Sequence, residues 1–199
     1  MPRTIGWKSA AFAVACLTLA GCVSLGGKTP DLLLRLTAEN RADAGTESGG
    51  RLADAIVVYD PAADRRLDVL RVPVQVDASS VAYLKDASWV EKPARQFRGL
   101  LAETLRAKSQ RLVVEGGDVE VSGKPQTLGG RLLDMGYDAR DQSVIVRFDA
   151  VLEAGDGMSR IKRFEARVPG VAAEAAAVGP ALNRAANDVA VQVAAWVAP

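Results

Sequence analysis

The sequence predicts an α+β fold, a two-layer sandwich in which a largely antiparallel sheet carries two amphipathic helices on one face. Three observations point there. Apolar residues recur at a spacing of about 3.6 around residues 89–108 and again from Pro180 onward. Residues 143–168 alternate apolar and charged side chains with a period of two, and short β-branched runs broken by Gly, Pro and Asp fill the first half of the chain.

The chain begins with Arg3 and Lys8 and continues in an uncharged run rich in Ala, Leu and Val over residues 9–20. These are the basic and apolar regions of a secretory signal, and the run is far shorter than the roughly 20 residues needed to span a bilayer. Leu19-Ala20-Gly21-Cys22 closes it. Small residues before the cut, then a cysteine whose thiolate can be alkylated, match the lipobox of bacterial lipoproteins. Residues 1–21 are therefore expected to be removed and Cys22 to carry acyl chains. Two such chains hold a protein firmly to one leaflet where one does not. Val23 follows the cysteine where Asp would signal retention at the inner membrane, which favours the periplasmic side of the outer membrane, with the inner membrane as the alternative.

Cleavage leaves 178 residues, enough for one domain over residues 31–199 behind a tether at residues 22–30. Lys and Arg number 25 against 24 Asp and Glu, so no net field draws the chain to nucleic acid or to anionic lipid. Apolar residues make up 49% and aromatics only 5%, which calls for a core of Ala, Val and Leu. There is no histidine, and the two cysteines are Cys16, lost with the signal, and Cys22. That removes the usual general base, the commonest metal ligand, the Ser-His and Cys-His pairs, and any disulfide within the mature domain. No catalytic residue, metal or cofactor is assigned. A Gly-x-x-x-x-Gly-Lys-Ser/Thr phosphate loop is likewise missing from the sequence.

In order, residues 32–36 read as a Leu-rich strand and residues 37–51, polar and Gly-containing, as a mobile loop. Strands follow at residues 55–59, 67–76 and 80–84, with Pro73 confining the second to an edge or a bulge. Trp89, Pro93, Phe97, Leu101 and Leu105 fall four apart, with Leu100 beside them, and paint one helical face; Pro93 fixes the helix start near residues 91–92. Gly99 within it marks either a close approach of helix to sheet or a tolerated defect. A strand at residues 111–115 precedes a three-strand meander at about residues 128–138, 143–152 and 160–168, with a hairpin turn at residues 154–157. The last helix is expected to begin at Pro180, with Leu182, Ala185, Val189, Val193, Trp196 and Val197 on its apolar stripe and Asn183, Arg184, Asn187, Asp188 and Gln192 facing away.

Two charged sets require a reading. Arg147, Asp149, Arg163, Glu165 and Arg167 lie on the sheet face away from the helices, as solvated cross-strand pairs or as a contact surface for a partner. Asp134, Asp138 and Asp141 form the nearest thing to an acidic cluster; they read as strand-end and turn residues, and a carboxylate hydrolase would need two of them together with a raised pKa.

The run from Val81 through Tyr83 and Trp89 to Glu91 and Pro93, followed by an apolar helix, resembles the centre of the ABC-type transport auxiliary lipoprotein family. That family includes the lipoprotein of the paraquat-inducible intermembrane transport system. Members share a lipobox, a Leu-rich strand soon after it, Trp followed by an acidic residue and Pro, and an Ala-rich terminal helix. The resemblance implies a non-enzymatic, lipid-anchored accessory component of a phospholipid transport system. Its implied partners are a mammalian-cell-entry-type substrate-binding subunit and an ABC permease complex, and homo-oligomerisation is implied as well. Cys22 would be the lipidation site. Trp89 and Tyr83 are the candidate partner or lipid contacts, with a core anchor as the other role open to Trp89. The competing reading is an outer-membrane interaction lipoprotein of another kind, such as a cell-wall synthase activator or envelope scaffold.

Overall fold

The computed structural model describes residues 32–109, 111–118 and 123–197, so the signal segment, Cys22 and the tether lie outside the described residues. The strands are β1 (Leu32–Leu34), β2 (Ile56–Val58), β3 (Ala62–Ala63), β4 (Pro73–Gln75), β5 (Val81–Tyr83) and β6 (Ala87–Trp89). Helix α1 (Pro93–Lys108) follows, then β7 (Val113–Glu115), β8 (Gln126–Asp138), β9 (Ser143–Glu153), β10 (Ser159–Val168) and helix α2 (Ala175–Val197).

The three long strands β8, β9 and β10 form the antiparallel meander that their alternation predicts. Along its other edge β8 takes three partners in turn, all parallel: β2 at Gln126–Leu128, β3 at Arg131 and Leu132, and β4 at Tyr137 and Asp138. β7 extends the sheet beyond β2 in parallel, and β5 beyond β4 antiparallel. A separate two-stranded parallel sheet joins β1 to β6, with Leu34 opposite Trp89. The α+β class therefore holds, with an antiparallel sheet in its long strands and parallel pairings in its short ones.

Both helices pack on one face, where β9 presents Val144, Val146, Phe148, Ala150 and Leu152, all buried. Phe97 of α1 meets Phe148 edge-on at 5.2 Å between ring centroids, and Trp196 of α2 meets Phe164 at 5.6 Å. Ala181, Ala185, Ala186, Ala190 and Ala194 are buried along α2, so small side chains fill most of the layer and few aromatics are needed.

Midway along β8 the inward parity changes. Leu128 and Leu132 face the core, then Met135 and Tyr137 do, because the register shifts between Leu132 and Asp134. Leu133 is the extra residue of a β-bulge, which turns Asp134 to the outer face. Arg66 seals the bulge: its Nη2 donates to Leu133 O at 2.5 Å and to Asp134 Oδ1 at 2.7 Å.

Several expectations need correction. Within residues 67–76 only Pro73–Gln75 is strand; the chain ahead of it turns at Asp64, whose carbonyl accepts from the N–H groups of Leu67 and Asp68, while Leu67 and Val72 still reach the core. β6 was not expected, since three residues are too few to show a period. α2 begins at Ala175, five residues ahead of Pro180. The N–H that Pro180 lacks would have met the carbonyl of Ala176; both residues are exposed, so solvent can serve that carbonyl. What holds the extra turn is contact with β1: a Cβ on Gly179 would stand 2.7 Å from Leu34 Cδ2. Close approach thus occurs at Gly179. At Gly99 a Cβ would meet only Glu115 Oε2, at 4.0 Å. Asn187, expected to face away, is 2% exposed.

Candidate interaction surface

Between β1 and the short 3-10 turn at Leu52–Asp54 the chain forms no strand, yet residues 36–42 are tied down as a strap across both helices. Unpaired backbone N–H groups need acceptors, and here side chains supply them. Leu36 N–H donates to Gln96 Oε1 (2.9 Å) and Ala42 N–H to Glu103 Oε1 (3.0 Å), both on α1. Thr37 N–H donates to Asn183 Oδ1 (2.7 Å) and Glu39 N–H to Asn187 Oδ1 (2.8 Å), both on α2. Seven residues separate the acceptors on α1 and four those on α2, spacings that keep each pair on one helical face. Asn187 closes the arrangement by donating Nδ2 to Thr37 O and Asn183 O, each at 2.9 Å. The segment expected to be mobile is, over these residues, latched.

Strap and α1 enclose a groove of about 420 Å³ that reaches β7. Its floor carries the ion pairs Arg98–Glu115 at 3.0 Å and Arg106–Glu115 at 3.4 Å, and Arg98 Nη1 also donates to Gly116 O. At the rim Arg95 pairs with Glu91 and Arg106 with Glu103. Arg35 and Arg41 also line it, exposed, and have no ion-pair partner among the described residues. The groove is thus a polar cleft with excess positive charge, suited to an acidic surface or segment.

The opposite sheet face carries two sets of cross-strand ion pairs. Asp134 takes Arg66 at 2.7 Å and Arg147 at 2.6 Å, Arg147 also holds Glu165 at 2.6 Å, and Arg163 grips both oxygens of Asp149. The Arg163 guanidinium, foremost through its hydrogen bonds, holds the Asp149 carboxyl below the usual range. These charges largely satisfy one another.

Tyr83 and Trp89 do not share a surface. Trp89 is 2% exposed, its N–H bonded to Leu70 O at 2.7 Å and its indole Nε1 buried without a partner among the described residues. Tyr83 is half-buried, with the Arg71 guanidinium 4.2 Å from its ring centroid. Cys22 lies outside the described residues. Asp134, Asp138 and Asp141 are each engaged by arginine. Asp138, buried, accepts Arg140 Nε at 2.8 Å and Nη2 at 2.6 Å, and this pairing pulls its carboxyl below the usual range, opposite to what a general acid needs. The described residues contain no group of three potential metal ligands and no helix long and apolar enough to cross a membrane. Sequence reasoning missed the strap and groove; the one available signal was Asn183 and Asn187, two amides one turn apart in an Ala-rich helix.

The fold is shared with solved structures. One is the crystal structure of an uncharacterised protein, 13% identical, covering 76% of this chain and 97% of the other with a TM-score of 0.63. Another is protein XCC0632 from Xanthomonas campestris, 15% identical, covering 83% of this chain and 93% of the other with a TM-score of 0.66. Comparison with curated proteins gives no match. The family model described as the ABC-type transport auxiliary lipoprotein component matches residues 35–194, from just after β1 to near the end of α2. The chain therefore belongs to the ABC-type transport auxiliary lipoprotein family.

Proposed function

We propose that this protein is a lipid-anchored accessory component of an ABC transport system of the mammalian-cell-entry type, which moves phospholipid across the envelope. Cys22 carries the acyl chains, and the body stands in the periplasm at the outer membrane. It acts by binding and scaffolding, not by catalysis. The family match over residues 35–194, directly downstream of Leu19-Ala20-Gly21-Cys22, carries this reading. The groove under the strap adds a surface of suitable kind: the partner subunit would bring a carboxylate-bearing segment to Arg35 and Arg41.

The test is crosslinking and pulldown from native membranes with the lipidated protein, a Cys22→Ala form serving as control. Recovery of a mammalian-cell-entry subunit or a permease supports the proposal. Recovery of cell-wall enzymes alone, or of nothing reproducible, overturns it.

A further inference from the structure

A largely apolar cleft lies beside β1, the first element after the tether. Its volume is about 530 Å³, with Leu32, Leu33 and Leu34 of β1 along one side and Ala176, Gly179 and Pro180 of α2 along the other. Leu32 is 40% exposed and Leu33 54%, two adjacent large aliphatic side chains left in water at the rim of the cleft. The remaining lining residues are Arg35 and Asn183, so the cleft has one cation and no carboxylate. Nine residues separate Cys22 from Leu32, and even fully extended they let β1 stand no more than about 36 Å from the anchored cysteine.

We propose that this corner is the membrane-facing end of the domain: Leu32 and Leu33 enter the interfacial zone of the leaflet that holds Cys22, and Arg35 meets lipid phosphate. The inference rests on the proposed anchoring at Cys22. The occupant follows from the covalent link, for a leaflet within reach of a short tether is present at high effective concentration, and apolar side chains beside a cation match its acyl-to-phosphate boundary. The other end of α2 would then point into the periplasm. Trp196 lies 17 residues along the helix from Gly179, roughly 25 Å at 1.5 Å per residue, and the Arg160 guanidinium sits 5.0 Å from its ring. Ile161, 72% exposed on β10, marks that distal end.

The experiment uses the full chain, lipidated in cells, purified and reconstituted in vesicles of phosphatidylethanolamine and phosphatidylglycerol. Leu33→Cys and Ile161→Cys each introduce the one free thiol of a protein whose Cys22 is blocked; an environment-sensitive dye is attached there, and acyl-chain spin-labelled lipid is the quencher. The dye at position 33 should shift to the blue and be quenched roughly two-fold or more, as expected at the headgroup–acyl boundary, while the dye at position 161 should respond little. A second arm follows emission at position 33 when phosphatidylcholine replaces phosphatidylglycerol; a persisting blue shift assigns insertion to the leucines. Mass spectrometry of the same samples reads the modification at Cys22. A lipidated protein whose position-33 dye behaves like that at position 161 overturns the orientation and leaves the anchor standing. An unmodified Cys22 removes the anchor, and the orientation with it.

Discussion

Asn187 holds Thr37 and Glu39 from beneath: its Nδ2 donates to Thr37 O at 2.9 Å while its Oδ1 accepts from Glu39 N–H at 2.8 Å. A neutral amide can donate and accept at once without carrying a charge into a largely buried position. Replacement by Leu keeps the volume and removes both functions. Asn187→Leu should cost about 1–3 kcal/mol in urea unfolding, and amide exchange over residues 36–42 should accelerate far more than exchange in β9. Equal acceleration in both would mean that the strap is not separately held.

Gly179 and Leu34 are coupled by contact. A β-branched side chain at 179 would push into Leu34, so Gly179→Val should destabilise by about 1–3 kcal/mol. Leu34→Ala opens the space, and the double variant should lose at least about 0.5 kcal/mol less than the two single losses combined. Strict additivity would show that β1 and α2 do not press on one another.

The pairing of buried Asp138 with exposed Arg140 makes stability pH-dependent in a defined direction. The folded-state pKa of Asp138 lies below its unfolded value near 3.9. Its contribution is therefore complete above that value and is lost as pH falls below it through the folded pKa. Asp138→Asn should be less stable than the parent by about 1–3 kcal/mol at pH 7, and the gap should narrow below pH 4. A gap that is constant down to pH 2 would contradict the assignment.

At the groove, Arg41→Glu should leave the melting temperature unchanged, because Arg41 is exposed and has no ion-pair partner among the described residues. Capture of an acidic partner should fall several-fold, mostly in the association rate and most clearly at low salt. Unaltered capture would move the contact elsewhere on the surface.

The meander and α1 were legible because each repeats a periodic signal over ten residues or more, and because Pro93 can occupy only a first turn. The start of α2 was not legible for the opposite reason. Pro180 reads locally as a first helical position, yet the helix starts five residues earlier, where Gly179 lets it pack against Leu34. The strap gave no local sign at all, since its hydrogen-bond acceptors on α2 lie 146 and 148 residues away in the chain. Family membership was legible through the run ending at Pro93, and Trp89 within that run is buried opposite Leu34. Its conspicuous residue thus marks how two strands meet, whereas the groove is lined by arginines and glutamates that look ordinary in sequence.

The three-fold use of β8's second edge sets the order in which the molecule can be assembled. β2, β3 and β4 are two or three residues long, and each docks on a different third of one strand that is synthesised after them. Strands so short have no independent stability, so the first half of the chain has no large sheet to enter until residues 126–138 are present. A nascent chain of this kind stays open while it emerges and then closes in one late step. Truncation before Gln126 should accordingly yield unfolded chain, not a smaller domain.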